Sequence, residues 1–396
     1  METLLRIEEP GARPLRRFAL WDLGFRPFYL LASTFAALSI PLWALQVSGL
    51  LGQAYLAGPL WHAHEMLFGF TLAVIVGFLF TAGRNWSNQP TPTGPALAAL
   101  AALWLAARVL VLTPWALAAA LANIAFPLAA AAALAVPFVR AGNRRNYFFV
   151  ALLVLLGLAS GAVHLSQLGL ASLPAWAGIQ LALDIVLFVM SVMGGRVIPM
   201  FTNNGVPGAG ATRHPLVEKA ALGGVLALLL ADLAGLRGPA LGALALAVAA
   251  AHAARWALWR PWRTLQAPLV WVLHLAYLWI ALHLLLRGAA GFGILAESAA
   301  SHALTVGAAG GLIIGMMTRT ARGHTARPLR ADRWEIAAFV LVALAAVVRV
   351  ALPLLAPLTT LLAVQASAAL WSAGFGVYAL RYWSVLTRPR LDGKPG

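Results

Sequence analysis

Histidines inside apolar segments are the residues of this chain best suited to chemistry. Two of them open one segment in the run WHAHEM (His62 and His64), one lies inside WVLHLAYLW (His274), and one heads SHALTVGAAGG (His302). A polar group in hydrocarbon is costly, so an imidazole there is usually satisfied by a partner, a water-filled cavity or a metal ion. Metal or heme binding is therefore the first functional hypothesis.

The pair His62 and His64 has the spacing of a metal clamp only if its backbone is extended. Residues i and i+2 of an α-helix point roughly 200° apart and cannot share one ion. In an extended segment ahead of the helix, both imidazoles would lie on one side and could bind copper, with Glu65 as a further ligand or as an acceptor behind a ligand. The alternative is a polar helix start that meets water at the membrane interface.

His274 shares a helix face with Trp271 and Tyr277, three residues before and after it. Such a stripe is typical of a porphyrin pocket, in which aromatic rings contact the macrocycle and an imidazole is the axial ligand. It is also typical of a packed helix interface whose histidine hydrogen-bonds a neighbouring carbonyl. We expect His274 to bind a cofactor, with Trp271 and Tyr277 beside it.

His302 precedes three glycines at i+4 spacing, Gly307, Gly311 and Gly315. Small residues at this spacing let another helix, or a flat macrocycle, approach the backbone closely, and helix packing is the commoner cause. Thr305 follows His302 by about one turn and could share a site with it. His302 is the strongest single ligand candidate of the chain.

The relation between His274 and His302 is left open by their spacing. They lie on sequential spans joined by a short loop, so their helices are expected to be antiparallel neighbours. The helix rise predicts a difference in depth of roughly 8 Å between them. One tilted heme with two histidine ligands and two separate sites are both compatible with that offset.

Two charged side chains inside or near predicted spans could serve a cofactor. Asp184 is the only carboxylate deep in a span, so it either pairs with a histidine or an arginine or belongs to a proton path. The alternative is a neutral Asp that is hydrogen-bonded to a neighbouring helix. Arg196 lies near the cytoplasmic face and could reach a heme propionate or a lipid phosphate.

The composition restricts both the class of protein and its chemistry. Of 396 residues, 62% are hydrophobic and 10% are charged, and the mean hydropathy is +0.84, which is typical of a helical membrane protein. The formal net charge of +16 follows from basic cytoplasmic loops in contact with lipid, so nucleic acid is not an expected partner. Cys is absent, which excludes iron–sulfur clusters, thiolate copper sites and covalently attached heme. A heme would be non-covalent, of the b type.

Twelve apolar stretches must position these residues. We predict an all-α polytopic membrane protein with transmembrane helices near 28–50, 60–83, 95–113, 115–140, 146–170, 175–201, 215–236, 239–260, 266–287, 293–318, 333–353 and 360–384. With a cytoplasmic N-terminus, all but four of the 28 Lys and Arg residues fall on the cytoplasmic side, as the positive-inside rule requires. The exceptions are Arg108, Arg237, Arg287 and Arg349. We therefore expect both termini to be cytoplasmic.

Three regions follow from this topology. Residues 1–27 are a cytoplasmic N-terminal segment, residues 28–384 the transmembrane bundle, and residues 385–396 a cytoplasmic tail. The basic and aromatic run 13–29 is expected to lie along the membrane interface, with its arginines near lipid phosphates and its aromatic rings among the headgroups.

Six ordered stretches of the chain together resemble one family. They are FRPFYLL (25–31), WHAHEMLFGF (61–70), NYFFV (146–150), GGRVIPMFTNN (194–204), PLVWVLHLAYLW (268–279) and HALTVGAAGGLIIGMMTRTARGHTARPL (302–329). These stretches are similar to the NnrS family of bacterial inner-membrane proteins. The resemblance implies heme and copper as cofactors and a role in denitrification and the response to nitric oxide. It also makes His324, in the run GHT, a further cofactor-binding candidate.

Three functions are compatible with the sequence. The first is a b-type heme protein, with or without copper, that binds or processes nitric oxide or exchanges electrons with a redox partner. The second is a secondary transporter, since twelve spans also suit a repeat of six and six, although the two halves of the chain share no repeated sequence motifs. The third is a non-catalytic membrane assembly factor, for which a glycine-rich helix interface would suffice. Catalysis and simple binding are not distinguished.

Overall fold

The regular structure of the described chain is helical. The computed structural model describes residues 17–47, 49–50 and 54–394. Helices make up 80% of the structure, and no strand occurs within these ranges. The predicted all-α class is therefore confirmed.

Twelve long helices correspond one to one to the twelve predicted spans. In chain order they are α1 (Phe25–Val47), α2 (Gly58–Ser87), α3 (Gly94–Leu110), α4 (Ala116–Arg140), α5 (Tyr147–Gln167), α6 (Ala175–Gly205), α7 (Pro215–Leu233), α8 (Pro239–Leu258), α9 (Pro268–Gly291), α10 (Glu297–His324), α11 (Arg333–Leu355) and α12 (Thr360–Thr387). Ten of them are long and apolar enough to cross a membrane. The other two are α3, which has 17 residues, and α7, whose 19 residues include Glu218, Lys219 and Asp232. The chain is a multi-pass membrane protein.

Proline sets the start of many of these helices. The first turns of α2, α3, α7, α8 and α9 each contain Pro, where its missing N–H would have no intrahelical partner and its fixed φ suits the helix. Consecutive helices pack side by side, as α4 does with α5, α8 with α9, and α11 with α12. The first and last helices, α1 and α12, also pack together, so the two ends of the chain are joined within one bundle.

The structure differs from the predicted interfacial segment at the end of that segment, from Phe25 onward. Residues 1–16 lie outside the described ranges, but α1 already begins at Phe25, and both Phe25 and Arg26 are buried. The Arg26 guanidinium donates to the carbonyl oxygens of Leu386 and Arg388 at the end of α12 (2.9 and 2.8 Å). The last carbonyls of a helix lack intrahelical donors and attract a cation. Arg26 therefore binds the protein instead of lipid phosphate.

The two described ends of the chain meet at one end of the bundle. The Ala19 N–H donates to the Thr387 carbonyl oxygen (2.8 Å), so both ends lie on the same side, as an even number of spans requires. We call this side the inner end and the opposite side the outer end. His324 lies at the inner end, where its ring contacts that of Phe25 with 5.6 Å between centroids.

The glycine repeat of α10 packs against α9. A Cβ atom at Gly307 would lie 2.4 Å from the Trp279 ring, and one at Gly315 would lie 2.8 Å from the Leu273 side chain. The middle glycine is equally close to α9. These contacts leave no room for a macrocycle, so close helix packing explains the repeat. They also fix the register of the two helices.

Candidate functional site

A buried chain of polar contacts surrounds His64 in the outer half of α2. The His64 Nδ1 atom lies 2.8 Å from Glu65 Oε1. The same carboxylate oxygen accepts from Arg108 Nη1 on α3, and Arg108 Nη2 donates to Asn123 Oδ1 on α4. None of the four residues is more than 5% exposed. The charges of Glu65 and Arg108 compensate each other, as an apolar interior requires.

These contacts decide which nitrogen of His64 is free. A carboxylate paired with a guanidinium is ionised and can only accept hydrogen bonds, so we assign the imidazole proton to His64 Nδ1. The Nε2 atom then carries a bare lone pair, and it is buried without a hydrogen-bond partner. Metal-binding histidines have this arrangement, with one nitrogen held by a carboxylate and the other left for the metal.

A second histidine, His164 on α5, faces His64. The two ring centroids are 4.9 Å apart and the ring planes cross at 76°. The Tyr55 hydroxyl donates to the His164 carbonyl and lies 3.3 Å from His164 Nδ1. Because the phenol proton is used by the carbonyl, Nδ1 is the donor in the second contact, and Nε2 is again bare and buried. Burial raises the pKa of Tyr55 to about 12, so the phenol keeps that proton.

The separation of the two rings suits a shared metal ion. Two imidazoles on one tetrahedral ion, with metal–nitrogen distances near 2.0 Å, have centroids about 5 Å apart, close to the observed 4.9 Å. Within the described ranges, no group of three or more His, Cys, Asp or Glu side chains could hold a metal ion. The pair thus offers two protein ligands and leaves other coordination positions open.

His164, Arg108 and Asn123 were not identified from the sequence as site residues. A histidine near the end of a span is as typical of the membrane interface as of a site, so His164 carries no signal by itself. Arg108 does carry one, because it is among the four basic residues that depart from the cytoplasmic charge pattern. The structure explains that departure by the buried carboxylate of Glu65.

His62 points away from this pair. Because α2 begins at Gly58, both histidines of the HxH run are helical and the extended clamp does not form. The His62 ring stacks on Trp43 of α1, with centroids 4.7 Å apart. His62 also lies within electrostatic range of His302 and Arg349.

His302 on α10 and Arg349 on α11 lie within electrostatic range of His62, and we call these three residues at the outer end the second cluster. The His302 Nδ1 atom lies 2.7 Å from the Ser298 carbonyl oxygen. A carbonyl can only accept, so Nδ1 carries the proton and the Nε2 lone pair is bare. The His62 Nδ1 atom is buried without a hydrogen-bond partner.

Two outer clusters are thus defined, the first by His64, His164, Glu65 and Arg108 and the second by His62, His302 and Arg349. Each contains a histidine at the start of a π-helical segment. One segment, Glu65–Thr71, follows His64 in α2, and the other, Ala303–Gly310, follows His302 in α10. Such segments are rare in α-helices and are frequent at functional sites. In α2 the altered backbone lets the Trp104 indole donate to the Gly69 carbonyl (3.0 Å).

His274 lies in the inner half of α9, away from the outer clusters. Its Nε2 atom is 2.8 Å from Thr202 Oγ1 on α6, and that hydroxyl donates to the Ile198 carbonyl. His274 therefore donates from Nε2, and its Nδ1 atom is bare and buried. The Trp259 ring lies edge-on to it at 6.5 Å between centroids.

The other members of the predicted aromatic stripe have neighbours of their own. The Tyr277 hydroxyl is 2.8 Å from both His252 Nδ1 and Arg255 Nη1. Trp271 packs edge-on against Phe339 of α11 at 6.1 Å. The stripe thus contacts several helices and forms part of their packing.

The register of α9 and α10 excludes one heme shared by His274 and His302. Because Gly315 is level with Leu273, His274 is level with a residue near 314 and lies roughly 17 Å deeper than His302. Two axial ligands of one metal are only about 4 Å apart. The predicted offset of 8 Å is too small because α10 begins at Glu297 and α9 at Pro268, which places both histidines nearer to opposite helix ends.

Asp184 belongs to an ion network near the outer end. Its Oδ1 atom accepts from Arg287 Nη1 (3.3 Å) and from Gln180 Nε2 (3.1 Å). Arg287 also donates to Asp232, which accepts in turn from Arg237. Pairing with Arg287 accounts for this carboxylate in a span, and its place in a proton path stays a prediction.

Arg196 lies among aromatic rings near the inner end. Its guanidinium carbon is 5.4–5.9 Å from the ring centroids of Trp86, Phe148 and Phe149, and Nη1 donates to Asn146 Oδ1 (3.2 Å). Cation–π contacts of this kind stabilise a guanidinium without a carboxylate. A heme propionate as its partner stays a prediction.

Thr305 and His324, the remaining candidates, also have local partners. The Thr305 hydroxyl donates to the Ser301 carbonyl one turn earlier (2.9 Å). The His324 carbonyl accepts from Arg390 Nη1 (3.2 Å). His324 lies at the opposite end of the bundle from the two outer clusters.

These features define a multi-pass helical membrane protein with two buried, facing imidazoles whose Nε2 atoms have no hydrogen-bond partner. The chain belongs to the NnrS family, because the family model described as NnrS protein matches residues 19–390. This range covers both outer clusters and all twelve helices, and it confirms the resemblance found in the sequence. No curated protein matches the chain.

Proposed function

We propose that this protein binds a redox metal in the outer half of the bacterial inner membrane and that this metal binds or processes nitric oxide. The observation that carries the proposal is the pair His64 and His164, two facing and buried imidazoles with bare Nε2 atoms. Neutral imidazole is a ligand that suits copper, and the chain has no Cys that could serve instead. Copper is therefore our assignment for this pair.

The surrounding residues would prepare the two ligands. Glu65 holds the proton of His64 on Nδ1, and Arg108 keeps that carboxylate ionised. The Tyr55 oxygen accepts a hydrogen bond from His164 Nδ1 and so holds the proton of His164 on that nitrogen. Fixing the tautomers in this way orients both lone pairs before a metal arrives. Bound copper would supply a site for nitric oxide and for electron exchange.

The second outer cluster is our candidate for a non-covalent b-type heme. His302 offers a bare Nε2 and His62 an unpartnered Nδ1. Arg349 has a guanidinium that can bind a propionate carboxylate, and Trp43 provides a flat apolar surface beside His62. The donor types therefore fit a heme. Electrons for either metal would come from a redox partner.

Metal analysis and absorption spectroscopy of the purified full-length protein test this proposal. We expect bound copper and a Soret band that acid–acetone extraction removes. His64→Ala and His164→Ala should lower copper to background and leave the Soret band, whereas His62→Ala and His302→Ala should do the reverse. His283→Ala is the matched control, because this buried histidine donates from Nδ1 to the Ala300 carbonyl (2.8 Å) outside both clusters.

Two results would contradict the proposal at different levels. Wild-type protein that carries neither copper nor heme, after expression in cells supplied with both, would refute the metal function itself. Metal contents unchanged in all four variants would refute only the assignment of the ligands.

A further inference from the structure

An apolar cavity lies at the centre of the bundle, between α2, α6 and α10. It has a volume of ≈ 100 Å³. Its walls include the side chains of Val74, Val186, Met190, Leu312 and Met316. None of the described residues that line it is charged, and only Tyr29 and Thr71 carry hydroxyl groups. The Thr71 hydroxyl is satisfied by the Met66 carbonyl (2.8 Å).

The cavity begins where both π-helical segments end. Thr71 closes the segment of α2, Ala309 lies in the last turn of the segment of α10, and both residues line the cavity. His64 and His302 each precede these residues by seven positions, which is roughly 10 Å along a helix. The cavity therefore lies directly inside both outer clusters.

The size and the walls of the cavity select its occupant. An apolar cavity of about 150 Å³ stays dry and binds benzene or xenon. A porphyrin or a quinone is too large for the space. An ion or a strongly polar molecule would lose most of its hydrogen bonds to water, because the described walls offer only the hydroxyl groups of Tyr29 and Thr71. A small, neutral, apolar gas meets none of these costs.

We propose that this cavity collects nitric oxide from the membrane and supplies it to the outer clusters. Nitric oxide is a neutral diatomic molecule that dissolves in hydrocarbon, so it can reach the cavity from the lipid. The two π-helical segments run from His64 and His302 to the residues Thr71 and Ala309, which line the cavity. This inference rests on the proposed function for the identity of the gas, whereas gas binding by the cavity can be tested without any metal.

Xenon serves as the probe for gas binding to the cavity. Val186→Phe places a ring into the space from a position that is 2% exposed, and Val154→Phe makes the same change on α5 at a position that is 36% exposed. In ¹²⁹Xe NMR we expect saturable xenon binding to the wild-type protein and to Val154→Phe, and its loss in Val186→Phe. Ala309→Val adds a smaller side chain to the cavity and should weaken xenon binding. It replaces Val186→Phe in the test if the phenylalanine variant fails to fold.

Nitric oxide kinetics provide the second arm of the experiment. After flash photolysis of the nitric oxide complex of the reduced, metal-loaded protein, we expect Val186→Phe and Ala309→Val to slow bimolecular rebinding severalfold. Val154→Phe should rebind at the wild-type rate. The variants should retain their copper and heme contents, because the cavity walls contain no proposed ligand.

The outcomes separate this inference from the proposed function. Xenon binding that survives in both filled variants, or nitric oxide rebinding that is unchanged when xenon binding is lost, would overturn the inference. A wild-type protein that binds no xenon, for instance because an acyl chain occupies the cavity, would also overturn it. Protein without metal would refute the proposed function. The xenon measurement alone would then test whether the cavity binds gas.

Discussion

At the scale of single residues, the partner of one imidazole nitrogen decides what the other can do. In His64 and His164 the Nδ1 atoms donate to fixed oxygen atoms, which leaves the Nε2 atoms without a proton. His252 shows the opposite case. Arg255 donates to the Tyr277 oxygen, so the Tyr277 proton is directed to His252 Nδ1 and occupies its lone pair. Similar burial thus leads to different chemistry.

The ion pair of Glu65 and Arg108 provides a test of the site that does not need a metal. Glu65→Gln leaves the Arg108 cation buried without a counter-charge, and we expect a loss of about 3–5 kcal/mol in the free energy of unfolding. Glu65→Gln combined with Arg108→Gln removes both charges and should recover much of that loss. Thermal unfolding in detergent measures both effects.

The control for this pair is Arg237→Gln, because Arg237 forms its ion pair with Asp232 while its side chain is 61% exposed. An exposed pair contributes little, so this variant should unfold close to the wild-type temperature. A double variant whose loss of stability equals the sum of the two single losses would show that the two charges are not coupled.

At the scale of helices, the sequence was sufficient for the spans but not for their mutual register. Hydropathy, charge bias and proline placement are local, and all twelve helices lie where they were predicted. The depth of His302 depends on where α10 begins, and a shift of four residues changes that depth by about 6 Å. The offset of His274 and His302 combines two such errors. The register itself depends on contacts such as that of Gly315 with Leu273, which the sequence does not contain.

The candidate site was predictable only in part, for a related reason. The sequence identified His62, His64, Glu65 and His302, because polar residues in apolar runs need an explanation. It did not pair His64 with His164, since the two are 100 positions apart and on different helices. Only the folded bundle brings such residues together.

The glycine repeat of α10 gives a prediction at this scale. In Gly311→Ala the new Cβ would lie 2.7 Å from the Ala276 Cβ atom, so α9 and α10 must move apart, at a cost of about 1–3 kcal/mol. Gly223→Ala on α7 is the control, because no atom lies within 4 Å of its Cβ position and Ala favours a helix over Gly. We expect a lower unfolding temperature for the first variant only. Equal unfolding temperatures would contradict the close packing.

At the scale of the whole molecule, charge serves two purposes at the two ends of the bundle. The basic residues of the inner end follow the positive-inside rule and orient the chain. The four exceptions each have a specific environment at the outer end. Arg108 pairs with Glu65, Arg287 with Asp184, and Arg237 with Asp232, while Arg349 lies near His62 and His302. Apart from the exposed Arg237, the departures from the charge pattern therefore identify the polar interior of the outer half.

The topology gives the last prediction. The hydrogen bond from Ala19 to Thr387 places both described ends of the chain on one side, and the charge pattern places that side in the cytoplasm. A green fluorescent protein fused to the C-terminus should fluoresce, and alkaline phosphatase at the same position should be inactive. Alkaline phosphatase inserted in the loop at 356–359, between α11 and α12, should be active.

On the orientation that the charge pattern predicts, the outer clusters lie near the periplasm. A membrane-impermeant copper chelator should then remove copper from intact cells, because His64 lies only about 9 Å inside the start of α2. His283→Ala should lose copper to the chelator at the wild-type rate. An active alkaline phosphatase at the C-terminus would show that the orientation is the reverse of the predicted one. The ion at His64 and His164 would then have to arrive from the cytoplasm.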